Sequence, residues 1–173
     1  MTKVKIFLLL VLLFVSSVSA AQLLPDNTRL TLESVQRWMA SNRDFAPIIQ
    51  ILDTMHTSDD ALKKFEMLPI AIQDQKIFDF MRKHQMFEKS QQIASHHGWK
   101  SVGEYMRLST KLGNAIAAYF FANDSAKLSQ EQKKALHEKT DAAILAAPVE
   151  DVHFVKSHEK LLKSYIQAYA DGR

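Results

Sequence analysis

The sequence predicts an all-α fold, read as a single-domain bundle of about five to seven amphipathic helices. Three observations point there. Only four glycines occur in 173 residues, while Ala, Leu, Lys, Gln and Glu are frequent and Val and Thr sparse, a balance that favours helix. Apolar residues recur three and four apart over most of the chain after residue 30, which keeps them on one helical face. No stretch combines alternating polarity with hairpin turn chemistry.

Taken in order, Thr31 is placed to cap a first helix carrying Leu32, Val35 and Met39, expected to end near Ser41 and Asn42. Asp44 caps a second, with Pro47 in the tolerated first turn and Phe45, Ile48, Ile49, Leu52 and Met55 in a stripe. Ser58 to Asp60 begins a third, with Ala61, Leu62, Phe65 and Leu68 inward and Pro69 closing it. A long pattern then runs from Ile70 to His97, with Gln85 as its candidate break. Gly98 stops it, and Ser101 caps the next helix, whose inward face is Val102, Tyr105, Leu112, Ile116, Tyr119 and Phe120. Ser109 and Gly113 are small enough there to admit a neighbouring helix. After a turn at 123–125, Ser129 and Gln132 form a capping box for a helix expected to reach about Ala146. Pro148 ends that element, and a last helix is read from about Val149 to Ala170.

The first 21 residues read as a secretory signal peptide: a cationic start with Lys3 and Lys5, an unbroken apolar run from Ile6 to Val15, and a small-residue stretch ending in Ala20 and Ala21. Cleavage is expected after Ala20 or Ala21, leaving one helical domain over 22–173. The apolar run is short of the roughly 20 residues that a membrane span needs. The expected address is therefore outside the cytoplasm, in the periplasm or in the medium, with no integral membrane insertion after cleavage.

Removing the leader takes away Lys3 and Lys5 and no acid, so 20 basic side chains face 19 acidic ones and the net charge falls from +3 to +1. A near-neutral chain with interleaved signs gives no electrostatic case for nucleic acid or for an anionic membrane surface. With no cysteine, neither a disulfide scaffold nor a lipid-modified cysteine is available, and packing alone must hold the fold.

Catalytic chemistry leaves no local trace. There is no cysteine nucleophile and no Gly-x-Ser-x-Gly elbow, and four dispersed glycines build no phosphate cradle. Two carboxylate–histidine pairs stand three apart, Asp53 with His56 and Glu150 with His153, but a metal site in a bundle also needs inward carboxylates from other helices. His153 aligns instead with Ser157, Lys160 and Ser164, a polar face. His96 and His97 are explained by the negative end of a helix. No catalytic, cofactor-binding or metal-binding residue is assigned, and no cofactor is expected.

The remaining feature is an apolar surplus. Phe65, Met67, Phe78, Phe80, Met81, Met86 and Phe87 fall within one short span, and Phe and Met are the side chains that adaptable binding surfaces use as well as ordinary cores. Met86 lies opposite the stripe of Ile77, Met81 and His84, so either the helix breaks there or an apolar side chain faces outward.

Two resemblances bear on this reading. The stretch Gly98-Trp-Lys-Ser-Val-Gly-Glu-Tyr105, with Ala117 to Phe121, resembles a pattern in uncharacterised small exported helical proteins of proteobacteria, as does Thr31-Leu-Glu-Ser-Val35. It implies an all-helical exported protein and no particular activity. Leu128-Ser-Gln-Glu-Gln132 resembles the Leu-Thr-x-x-Gln motif of Spy/CpxP-type periplasmic chaperones, with Ser for Thr and a single copy. The expectation is a non-enzymatic exported protein that binds a protein or apolar partner. A chaperone-like stress protein and a metal protein or enzyme whose site forms only in the fold are the alternatives.

Overall fold

Thr31 begins the first helix with a reciprocal cap. Its hydroxyl accepts from the N–H of Ser34 at 3.1 Å, and Ser34 Oγ accepts from the N–H of Thr31 at 2.9 Å. The computed structural model describes residues 29–172, and every regular element among them is helical. The segment read from sequence as a signal peptide, with Ala20 and Ala21, lies outside the described residues. The elements are α1 (Leu32–Leu52), α2 (Asp59–Glu66), α3 (Ile70–Lys83), α4 (Phe87–His96), α5 (Val102–Ser125), α6 (Gln130–Lys139), α7 (Ala142–Leu145), α8 (Val149–Ser157) and α9 (Glu159–Asp171). Among the described residues they form two compact units, 29–109 and 110–172, and α5 contributes residues to each.

In the first unit, α1 packs on α3 and α4, and α3 packs on α4. Its core holds Val35, Trp38, Phe45, Ile48, Leu52, Ile77, Met81, Trp99, Val102 and Tyr105, all 5% exposed or less. The two helices expected over 31–55 are one. Ser41 and Asn42, polar residues that suggest a stop, are buried inside α1 and serve as partners for two aromatic rings. Trp99 Nε1 donates to Ser41 Oγ at 3.1 Å, and the Tyr105 hydroxyl donates to Asn42 Oδ1 at 2.7 Å. With those tertiary bonds in place, the helix continues through Pro47. Asp44 caps nothing; its carboxylate meets His97 Nε2 at 2.8 Å.

The Gly98–Tyr105 stretch is a joint between α4 and α5. Gly98 adopts φ +71°, a left-handed stop that a side chain would strain. Arg37 donates through Nη1 to the Gly98 carbonyl at 2.8 Å and places its guanidinium carbon 4.1 Å from the centre of the Trp99 ring. Ser101 Oγ accepts from the N–H of Glu104 at 3.1 Å, and the Glu104 carboxylate accepts from the N–H of Lys100 at 2.6 Å. Tyr105 stacks on Phe45, ring centres 3.9 Å apart.

The long pattern over 70–97 does break at Gln85, which adopts φ +57°. Met86 turns its N–H back to Met81 O at 2.8 Å, and α4 starts afresh. Gly103 lies under an ion pair: Arg107 grips Asp74 with Nη1–Oδ1 at 2.7 Å and Nη2–Oδ2 at 3.3 Å, and a Cβ on Gly103 would sit 1.9 Å from Asp74 Oδ1. Gly103 is thus the glycine that admits a neighbouring helix. At Gly113, where the sequence suggests such an approach, a Cβ would meet nothing within 4 Å.

In the second unit, α5 runs through the turn expected at 123–125, and the chain bends after it. Ser129 and Gln132 form the expected capping box, with both bonds present. The following helix stops at Lys139 rather than near Ala146. Thr140 is extended, and Asp141 caps the short α7 by accepting from the N–H of Ala143 at 2.8 Å. The last helix is divided at His158, which leaves helical geometry at φ −117°, ψ 26°. Its Nδ1 donates to Phe154 O at 2.9 Å, and its ring stacks on Phe154. Ala117, Ala118 and Ile144 form an apolar cluster against Phe121, Ala147, Val152 and Tyr169. Lys111 reaches Asp151 at 3.3 Å and ties α5 to α8.

Candidate functional site: an apolar corner between α2 and α3

Helix α2 begins at Ser58, whose hydroxyl accepts from the N–H of Ala61 at 3.2 Å. It cannot run on past Leu68 because Pro69 follows, which disfavours helical geometry in the residue before it and sets the start of α3. The chain therefore turns at Leu68-Pro69 between two helices, and it does so inside six consecutive apolar residues, Met67-Leu-Pro-Ile-Ala-Ile72. Burying all six would need a neighbour on every side of the turn. Met67 is 67% exposed and Ile72 46%. Pro69 and Ala71 are exposed too, and Leu68 and Ile70 are half-buried.

The turn is fixed from beneath. Gln73, itself buried, donates through Nε2 to the carbonyl of Glu66 at 3.0 Å and to that of Leu68 at 2.8 Å. One side chain thus satisfies two carbonyls at the end of α2 that the helix cannot, and it holds the corner in one shape.

Exposed charges on the two helices are mostly basic, with Asp60 and Asp79 the exposed acids described on them. Among residues 61–78 the exposed charged side chains are Lys63, Lys64 and Lys76. The two acids in that span, Glu66 and Asp74, are half-buried, and Asp74 is held by Arg107. Lys64 also comes within 3.8 Å of Asp60, at a separation and exposure where solvent screens the pair. Lys63 stands one helical turn before Met67, and Ile72 one turn before Lys76.

The seven residues singled out by sequence are not one surface. Met81 is fully buried and belongs to the core. Phe78 and Phe87 meet edge to face at 5.7 Å, half-buried, with the Arg82 guanidinium 4.7 Å from the Phe87 ring centre. Phe80 is half-buried against the ring of His84, and Phe65 against that of His56 at 4.7 Å. Met86 is half-buried at the break that starts α4, so it is not the outward residue of a continuous helix. Met67 alone of the seven stands well out. Its companions Pro69, Ala71 and Ile72 had a signal in the sequence, an apolar run straddling a proline that no single helical face can absorb.

Other candidates for chemistry are placed as follows. Among the described residues no three His, Asp or Glu side chains come together to hold a metal ion. His153 lies 3.4 Å from Ser157 Oγ on its polar face. The Leu128–Gln132 motif is accounted for by its capping bonds, and the aromatic groups of the Gly98–Tyr105 stretch are buried and engaged. No helix among the described residues is long and apolar enough to cross a membrane. Comparison of the chain with family models, with curated proteins and with solved structures finds no match.

Proposed function

We propose that this chain is an exported, non-enzymatic interaction protein that engages an apolar partner through the α2–α3 corner. The observation that carries the reading is Met67 and Ile72 standing exposed on either side of a turn that Gln73 clamps from within. Apolar side chains on a fixed backbone lose little conformational freedom on contact, so the partner gains most of the burial they offer. Export is supported by the charge, length and small-residue order of residues 1–21.

The test uses 8-anilinonaphthalene-sulfonate, whose fluorescence rises on apolar protein surface. The folded parent chain is expected to enhance the dye, and Met67→Ser with Ile72→Ser to remove most of the enhancement while the far-ultraviolet circular dichroism stays unchanged. No enhancement by the parent, or an equal signal from the double variant, would overturn the reading.

A further inference from the structure

We infer that the partner of the α2–α3 corner is an anionic lipid surface, on which the protein sits peripherally. The inference rests on the corner being the binding surface, and it adds the chemistry of what is bound. Charge complementarity carries it. An apolar tip alone would suit any greasy partner, but here the tip is flanked by Lys63, Lys64 and Lys76, with Glu66 and Asp74 half-buried and Lys64 facing the exposed Asp60 at 3.8 Å.

The arrangement matches the layering of a bilayer face. Met67, Pro69 and Ile72 protrude at the turn and would enter the boundary between headgroups and acyl chains. Each exposed large side chain has an exposed lysine one helical turn away, Lys63 beside Met67 and Lys76 beside Ile72. A lysine stem can lie along apolar surface while its ammonium reaches outward to the phosphate level. Lys64 adds a third cation on the same rim.

The near-neutral charge of the whole chain does not oppose this. Screening confines the attraction to about 8 Å at physiological ionic strength, so the charges at the contact decide the outcome. Of the exposed charged side chains described on α2 and α3, Lys63, Lys64, Lys76, Arg82 and Lys83 are basic and Asp60 and Asp79 acidic, a local excess of cations.

The experiment is co-sedimentation of the purified chain, its N-terminus established by mass spectrometry, with vesicles of mixed phosphatidylcholine and phosphatidylglycerol or of phosphatidylcholine alone. Parent chain should pellet with the mixed vesicles, weakly with the zwitterionic ones, and progressively less as salt is added. Replacing Lys63, Lys64 and Lys76 by Gln should weaken binding about fivefold per lysine. Met67→Ser with Ile72→Ser should weaken it about tenfold or more.

Equal binding to both kinds of vesicle overturns the inference. So does binding that both variants retain, which would place the contact elsewhere, residues 6–15 being the first place to look. Absence of vesicle binding with dye enhancement intact overturns the lipid assignment and leaves the corner as a surface for another partner. Loss of both removes the corner reading as well.

Discussion

The hydroxyl of Tyr105 donates a 2.7 Å hydrogen bond to Oδ1 of Asn42, a residue 63 positions earlier that is 5% exposed. Together with the Trp99 bond to Ser41, it joins the start of α5 to the middle of α1. Tyr105→Phe keeps the ring on Phe45 but takes this donor from a buried carbonyl. We expect it to lower unfolding stability by about 1–3 kcal/mol in urea denaturation.

Two glycines on α5 should respond to alanine with opposite signs. Gly103→Ala drives a methyl into the Asp74 carboxylate under the Arg107 fork and should destabilise by about 1–3 kcal/mol. Gly113→Ala meets nothing within 4 Å and should stabilise by about 0.5–1 kcal/mol through helix propensity. Thermal unfolding of the two variants side by side checks the pair.

Gln73→Leu preserves bulk and apolar contact but leaves the carbonyls of Glu66 and Leu68 without their side-chain donor. The expected loss is about 1–2 kcal/mol, concentrated at the corner. Amide hydrogen exchange should quicken around Leu68 and the first turn of α3 before it does in α1.

Burial lowers the imidazole of His56 below its ordinary 6.5. The unfolded chain then binds more protons than the folded one between that lowered value and 6.5. Stability from this residue is complete above 6.5 and is lost as the pH falls through the window below it. His56→Gln should lessen the drop in melting temperature as pH is lowered through that range, and an identical drop in both proteins would contradict the assignment.

Asp151 is 3% exposed, and burial raises its carboxyl above the ordinary 3.8, while Lys111 pulls it partly back. The folded chain holds this proton more tightly, so stability falls as pH rises from 3.8 through the raised value. Asp151→Asn should therefore gain on the parent as pH climbs through that window. Lys111→Met removes the compensating charge and should cost about 2 kcal/mol at neutral pH, less than for a fully buried pair because Lys111 is partly exposed. Paired urea titrations at acid and neutral pH test both.

Several points of the fold are legible in the sequence for a common reason. Thr31, Ser58 and Ser129 cap their helices through groups within three residues, and Gly98 supplies its stop by its own φ. Such features need no distant partner. The apolar surplus over 65–87 was legible as composition, but its division was not: Met81 and Met67 look alike in sequence, and only the packing of α3 on α1 and α4 makes one core and the other surface.

The sequence by itself determined an all-α chain, the absence of disulfide chemistry and the caps that start and stop helices, because propensity and capping act over a turn or less. Tertiary structure decided that Ser41 and Asn42 continue α1 rather than end it, since their partners Trp99 and Tyr105 lie 58 and 63 residues away. It also decided the character of the α2–α3 corner. The near-neutral charge of the chain hides a local excess of exposed cations. That excess arises only when folding draws Asp74 to Arg107 and leaves the lysines beside Met67 and Ile72 in solvent.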